Sequence, residues 1–206
     1  MQTIASPLEG ATFSLPLPLY DMRQVGSLVG DDGEAFSILI GLDQTLVEQL
    51  REKSLADDSA IQNNTSDRLR FGEGSYEEWY AKERTPFALV HTATNALAAL
   101  VFFGPKPLAR KPLKYLSPDE RAKELSQEKS EWHTVAFRSY PPFRGKKLMK
   151  PFARFAIDHY LAAVPGSKIW AGIDTTNPAS VALTKGLGFV AVPEVSDDER
   201  AIFILE

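Results

Sequence analysis

Cysteine is absent from this chain of 206 residues. That excludes disulfides, thiolate metal ligands and a catalytic thiol, so packing alone must hold the fold. Histidine is scarce: His91, His133 and His159 are the three present, and His91 and His159, far apart and with no carboxylate spacing, do not suggest a metal site. No window approaches the roughly 20 apolar residues that a membrane-crossing helix requires. A basic n-region is missing from the first twenty residues, and Glu9, Pro16 and Pro18 interrupt their apolar part, so they do not read as a signal peptide. Positive charge is not in excess either. With 23 Lys and Arg against 27 Asp and Glu, the net charge of −4 argues against nucleic-acid binding, which needs a basic footprint. These absences leave a soluble, cytoplasmic protein with no membrane or nucleic-acid partner, and a cationic substrate is compatible with its charge. Asn63 and Asn64 each begin a glycosylation-type triplet, which in that setting reads as loop chemistry.

What is present is enough apolar material, 44% of residues, for one substantial core, and a single domain over residues 1–206 is the expectation. Ala35 to Gly41 is an apolar run of strand length, and Asp43 stands where it can cap a helix carrying Leu46, Val47 and Leu50. A strand leading into a helix is therefore the expected opening. Residues 56–74 are polar and read as loop or irregular helix, with one short helix over 76–82. Two apolar runs, 86–93 and 96–104, flank Thr94-Asn95 and read as an antiparallel hairpin. Residues 105–130 then read as an insertion, with three prolines in the first eight residues, the cations Lys106, Arg110, Lys111 and Lys114, and an exposed helix opening at Ser117-Pro118. Next come a strand (131–139), a helix (145–163), a strand (168–174), a short helix (178–185) and strands near Phe189 and over 200–205. The class is mixed α/β with α+β character: one central sheet flanked by helices.

Chemistry concentrates after the strand HTVAFRS. The segment Phe143-Arg144-Gly145-Lys146-Lys147-Leu148-Met149-Lys150 leads into a helix whose Leu148, Phe152, Phe155, Ala156 and Tyr160 share a face. Cations in a first helical turn oppose the macrodipole by roughly 0.3–1 kcal/mol each. Arg144, Lys146, Lys147 and Lys150 all gather there. Either they are solvated surface charges, or an anion such as phosphate binds at that terminus, where free backbone N–H groups and lysines act together on it.

The stretch Phe137-Arg138-Ser139-Tyr140-Pro141-Pro142-Phe143-Arg144-Gly145-Lys146 resembles the strand-turn-helix of the GNAT superfamily, whose signature is Arg/Gln-x-x-Gly-x-Gly/Ala. Asn177-Pro178-Ala179-Ser180-Val181-Ala182-Leu183-Thr184-Lys185-Gly186-Leu187-Gly188-Phe189 is similar to that family's downstream motif, Asn-x-x-Ser-x-x-Leu-Tyr-x-x-x-Gly-Phe, at matching spacing. Together the two blocks cover roughly Glu131 to Phe189. The resemblance implies the GNAT acyl-CoA N-acyltransferase fold, with acetyl-CoA or another acyl-CoA as co-substrate. It implies that Arg144, Gly145, Lys146, Lys147, Leu148 and Met149 hold the pyrophosphate, and that the backbone groups of Phe137 and Ser139 pair with the pantetheine amides like an added strand. Asn177 and Ser180 would complete the coenzyme site, with Asn177 capping its helix, reaching the pantetheine arm, or both. The chain departs from the pattern at Lys147 and Met149, which replace small residues, and at Thr184, which replaces a tyrosine that helps the thiolate leave.

Acylation of an amine needs a neutral nucleophile, so a base or a water relay must remove a proton. Some family members carry a glutamate eleven residues before the Arg144 position. His133 stands there, with an ordinary pKa near 6.5 that suits proton acceptance. The other reading of His133 is a hydrogen-bonded strand residue. Glu131 is a further candidate base, two residues earlier on the same strand face, and Tyr140 a candidate acid. Arg138 alternates to the opposite face, toward an acceptor or solvent. The implied activity is N-acetyltransfer, or transfer of another short acyl group, from coenzyme A directly to a primary amine on a small molecule or peptide. The rival implication is a non-catalytic acyl-CoA-sensing or protein-interaction module. Oligomeric state is left open, a homodimer being compatible.

Overall fold

In the computed structural model, residues 3–10, 12–111, 115–123 and 130–205 are described. The chain opens with a three-stranded antiparallel meander, β1 (Ile4–Pro7), β2 (Met22–Val29) and β3 (Ala35–Gly41). Only β3 is expected from the sequence, and the reason lies in the register. The β2–β3 ladder shifts between Gln24 and Gly26, so the buried Val25 and Leu28 fall three apart and the period-2 alternation is lost. β1 is a short, mostly exposed edge strand without a buried stripe.

α1 (Gln44–Leu55) follows with Asp43 as its cap, Oδ1 accepting from Leu46 N at 2.8 Å. The polar stretch resolves into α2 (Ser59–Asn64), capped by Asp58, a single π-helical turn at Arg68–Gly72, and α3 (Tyr76–Tyr80), capped by Ser75. The expected hairpin is β4 (Thr85–His91) with β5 (Ala96–Pro105). Both strands are buried along nearly their whole length, which explains their unbroken apolar sequence. α4 (Pro118–Lys123) begins in a capping box, with Ser117 Oγ accepting from Glu120 N and Glu120 Oε2 from Ser117 N. Of the anticipated insertion, residues 112–114, Lys114 among them, and 124–129 lie outside the described residues. β6 (Trp132–Ser139), α5 (Met149–Ala163), β7 (Lys168–Asp174), α6 (Pro178–Gly186), β8 (Val190–Ala191) and β9 (Arg200–Leu205) complete the order.

The nine strands form a mixed, mostly antiparallel sheet in the order β1-β2-β3-β4-β5-β6-β7-β9-β8, flanked by helices. The class is mixed α/β, as the element order implies. The chain divides into two compact units, each assembled from three segments. The first is Met1–Leu50, Arg84–Phe103 and Ala136–Pro165. Its α5 buries Phe152, Ala153, Phe155, Ala156, Ile157 and Tyr160, and the Tyr160 ring stacks on Phe103 at 4.2 Å. The second is Arg51–Glu83, Gly104–Val135 and Gly166–Glu206. In it the indole of Trp170 donates to Lys106 O at 2.9 Å, and the buried Arg200 donates to the carbonyls of Ala109 and Arg110, fastening the segment after β5.

Candidate functional site

The turn between β6 and α5 lies in the first unit. Amides of Phe143 and Arg144 both donate to Tyr140 O, at 2.9 and 3.1 Å, and the amide of Lys146 donates to Phe143 O at 3.3 Å. Gly145 then has φ +86° and Lys147 φ +60°, both left-handed. Two left-handed residues cannot continue a right-handed helix, so α5 begins at Met149 and not at Gly145 as the sequence pattern implies. Arg144, Lys146 and Lys147 therefore precede the helix, and of the four cations only Lys150 stands in its first turn.

This geometry leaves donors. The amides of Gly145, Lys147, Leu148, Met149 and Lys150 donate to no group among the described residues, and the helix start has no side-chain cap. Backbone N–H groups brought together by alternating right- and left-handed residues form an anion-binding concavity, here continued by the open end of a helix. A Cβ on Gly145 would meet nothing within 4 Å, so the turn is open at that point. Lys147 stands where the family signature has glycine, yet its backbone has the conformation glycine adopts freely. Met149 is half-buried and Leu148 buried, so both offer the turn their amides while their side chains pack.

The cations divide by partner. Arg144 is exposed, and its Nε and Nη2 donate to Ser139 O at 3.2 and 2.9 Å. Lys146 Nζ donates to Glu34 Oε2 at 2.7 Å and to Asp32 Oδ2 at 3.0 Å. The hydrogen bond from Lys146 holds the Asp32 carboxyl below its usual range. Glu34 first, then Asp32, push the Lys146 ammonium up. Lys147 and Lys150 are exposed. Tyr140, at 1% exposure, is a core residue whose amide donates to Ala98 O.

Along β6 the peptide groups alternate. Tyr140 N donates to Ala98 O, and Lys106 N donates to Trp132 O, which turns the even-numbered groups toward β5. The odd-numbered groups, Phe137 and Ser139 included, face the other edge. There the parallel ladder with β7 runs only from Trp132↔Lys168 to Thr134↔Trp170. Beyond Thr134 that edge of β6 has no strand partner among the described residues. Phe137 O accepts from Arg138 Nη1 at 2.8 Å, and Ser139 O from Arg144. Two guanidiniums thus occupy carbonyls open to any donor lying along this edge. Arg138 also lies 5.4 Å over the Phe102 ring, an engagement that the strand alternation does not reveal.

In the second unit, His133 is buried in β6 at 9% exposure. Glu131 precedes the strand, is exposed, and pairs with Lys168 Nζ at 2.8 Å. Asn177 caps α6, its Oδ1 accepting from Ser180 N at 3.1 Å, with Pro178 at the first helical position. Thr184 is fully buried, and its hydroxyl makes no hydrogen bond among the described residues. No group of three or more His, Cys, Asp or Glu suited to a metal occurs among the described residues. No described helix is long and apolar enough to cross a membrane. Sequence reasoning missed Asp32 and Glu34. The local signal was the Gly30-Asp31-Asp32-Gly33-Glu34 turn, which marks a hairpin connection but not its partner at position 146.

Comparison with protein-family models and with curated proteins finds no match. Solved structures do match. The GNAT domain of S. lividans PAT is similar at 15% identity, covering 89% of this chain and 97% of that one with a TM-score of 0.54. An acetyltransferase from Agrobacterium tumefaciens is similar at 12% identity over 97% and 99%, with a TM-score of 0.59. A spermidine N-acetyltransferase from Vibrio cholerae, solved with CoA and spermine, is similar at 16% identity over 81% and 95%, with a TM-score of 0.55. These likenesses show the fold of the mixed sheet and its flanking helices. That fold is the GNAT fold, as the two sequence motifs imply.

Proposed function

We propose that the protein is an acyl-CoA-dependent N-acyltransferase that passes an acetyl or other short acyl group directly from coenzyme A to a primary amine. One observation carries the reading: the free amides of Gly145 and of Lys147 to Lys150 stand at the end of the β6 edge that presents Phe137 and Ser139. The amides fit a pyrophosphate, and Arg144, Lys147 and Lys150 add charge beside them. The guanidinium N–H groups on Phe137 O and Ser139 O stand in for amide donors, so this edge fits the pantetheine arm. Asn177 and Ser180 keep the coenzyme-binding role that the resemblance implies. When bound, acyl-CoA supplies the activated acyl group. The chain supplies binding, orientation and proton acceptance, and proximity carries much of the acceleration.

Proton acceptance from the amine is assigned to His133. Glu131, the other candidate base, is engaged by Lys168, and Tyr140, the candidate acid, is sealed in the core. His133→Ala is expected to lower kcat at saturating substrates by roughly a hundredfold, the usual scale of general-base catalysis. An intact rate removes His133 from the mechanism. For the acceptor, an amine agrees with the net charge of −4 and with the spermine in the similar Vibrio cholerae structure.

A second reading, an acyl-CoA-sensing module, is favoured by Thr184. A fully buried threonine cannot do what an exposed phenol does for a departing thiolate. Calorimetric titration with acetyl-CoA, followed by a thiol-release assay over a panel of amines, separates the two. Binding with turnover supports the enzyme, binding without turnover on any amine supports the module, and no binding overturns both.

A further inference from the structure

Three contacts from one hairpin converge on the six residues before α5, and all lie in the first unit. Lys146 binds Glu34 and Asp32. Leu148 packs against Gly30, where a Cβ would lie in ordinary contact with Leu148 Cδ2 at 3.4 Å and would crowd Asp32 Oδ1 at 2.7 Å. Phe143 meets the Phe36 ring edge-on at 5.6 Å. The hairpin connection is itself braced: Gly30 N donates to Glu34 O, Gly33 N to Gly30 O, and Glu34 N to Asp32 Oδ1. That last bond occupies one oxygen of Asp32 and leaves Oδ2 for Lys146.

We infer that Asp32 and Glu34 are positioning residues for the amide cradle, acting through Lys146 and resting on the coenzyme reading above. Lys146 lies between the two left-handed residues, Gly145 and Lys147, so holding its side chain restrains the peptide planes on both sides. The plane that follows carries the free Lys147 N–H, and the plane that precedes carries the Lys146 N–H that donates to Phe143 O and holds the turn. An isolated exposed ion pair contributes little to stability. A link that presets a binding loop acts differently, because it removes ordering that the ligand would otherwise have to impose.

Simple charge counting predicts the opposite sign. Two carboxylates near an anion site repel the anion, so neutralising them would tighten binding. The experiment is calorimetric titration of coenzyme A into the unaltered protein, D32N/E34Q, K146M, the triple combination and K146R, with steady-state kinetics on the same set. Positioning predicts about tenfold weaker Kd and a matching rise in KM for acetyl-CoA in D32N/E34Q and in K146M, with kcat at saturation unchanged. The triple variant is expected to lose no more than either, since all three residues form one link, and K146R to bind like the unaltered protein. Unchanged or tighter binding in D32N/E34Q, or additive losses in the triple variant, overturns the inference. Failure of the unaltered protein to bind coenzyme A overturns the coenzyme reading itself, a different result from binding that the variants leave untouched.

Discussion

Arg144 and Ser139 are joined through a guanidinium fork: Nε and Nη2 both donate to the Ser139 carbonyl, at 3.2 and 2.9 Å. The first position of the signature thus closes the turn back onto the strand that precedes it. Arg144 and Lys147 are exposed and outside regular elements, so their loss removes charge from the cradle without touching the core. Charge-assisted hydrogen bonds are worth about 1.5–3 kcal/mol each. R144A/K147A is therefore expected to weaken acetyl-CoA binding roughly tenfold or more, while the thermal midpoint stays within about 3 °C. Unchanged affinity in the titration would end the anion argument.

Lys147 carries φ +60°, a conformation that costs a residue with a Cβ roughly 1 kcal/mol and a β-branched residue more. K147G is expected to hold or raise stability. K147V is expected to destabilise by about 1–2 kcal/mol relative to K147G, read from urea unfolding midpoints at equal m-values. Equal stability of the two would mean that the turn does not hold this backbone.

Asn177 caps α6 through Oδ1, a bond that aspartate can also make. N177A is expected to lose about 1 kcal/mol of stability and N177D close to none. The amide and the carboxylate differ toward a ligand, however, since only asparagine donates. If Asn177 also serves the pantetheine arm, N177D keeps its stability and weakens coenzyme binding. Intact binding in N177D reduces the residue to a cap.

The link between Lys146 and Asp32 gives a pH dependence with a definite sign. The folded pKa of Asp32 is lowered, chiefly by the Lys146 hydrogen bond, so its contribution is present above the unfolded value near 3.9 and is lost as pH falls through the lowered one. The Lys146 pKa is raised, so its contribution is complete below its unfolded value near 10.4 and is lost as pH climbs through the raised one. Between about pH 5 and 9 the thermal midpoints of the unaltered protein and K146M are expected to run parallel. Their gap is expected to narrow as pH falls below the unfolded Asp32 value. A gap that stays constant to pH 3 would show that the pair does not stabilise the fold.

Elements marked by an unbroken apolar run, a clean helical period or a cap residue were legible in the residues. The β4–β5 hairpin, α5 with its face of Phe152, Phe155, Ala156 and Tyr160, and the Asn177 cap all follow from local pattern. β2 was not, because a register shift between Gln24 and Gly26 destroys the alternation on which strand recognition depends. The start of α5 was misplaced for a similar reason. Gly145-Lys146-Lys147 continues a helical spacing of side chains, and nothing in residue type announces that Lys147 takes a left-handed φ.

The sequence by itself determined the class of fold, the strand-turn-helix with its basic residues, and the asparagine cap, since each depends on neighbours a few residues apart. Only the tertiary structure decided which donors and charges the turn offers. Lys146 is tied to carboxylates more than a hundred residues away in the chain. Arg144 and Arg138 are laid on strand carbonyls, and five amides stand open among the described residues. Local spacing specifies which side chains share a face. Whether a charge is satisfied and whether an amide is free depend on what the rest of the chain brings to it.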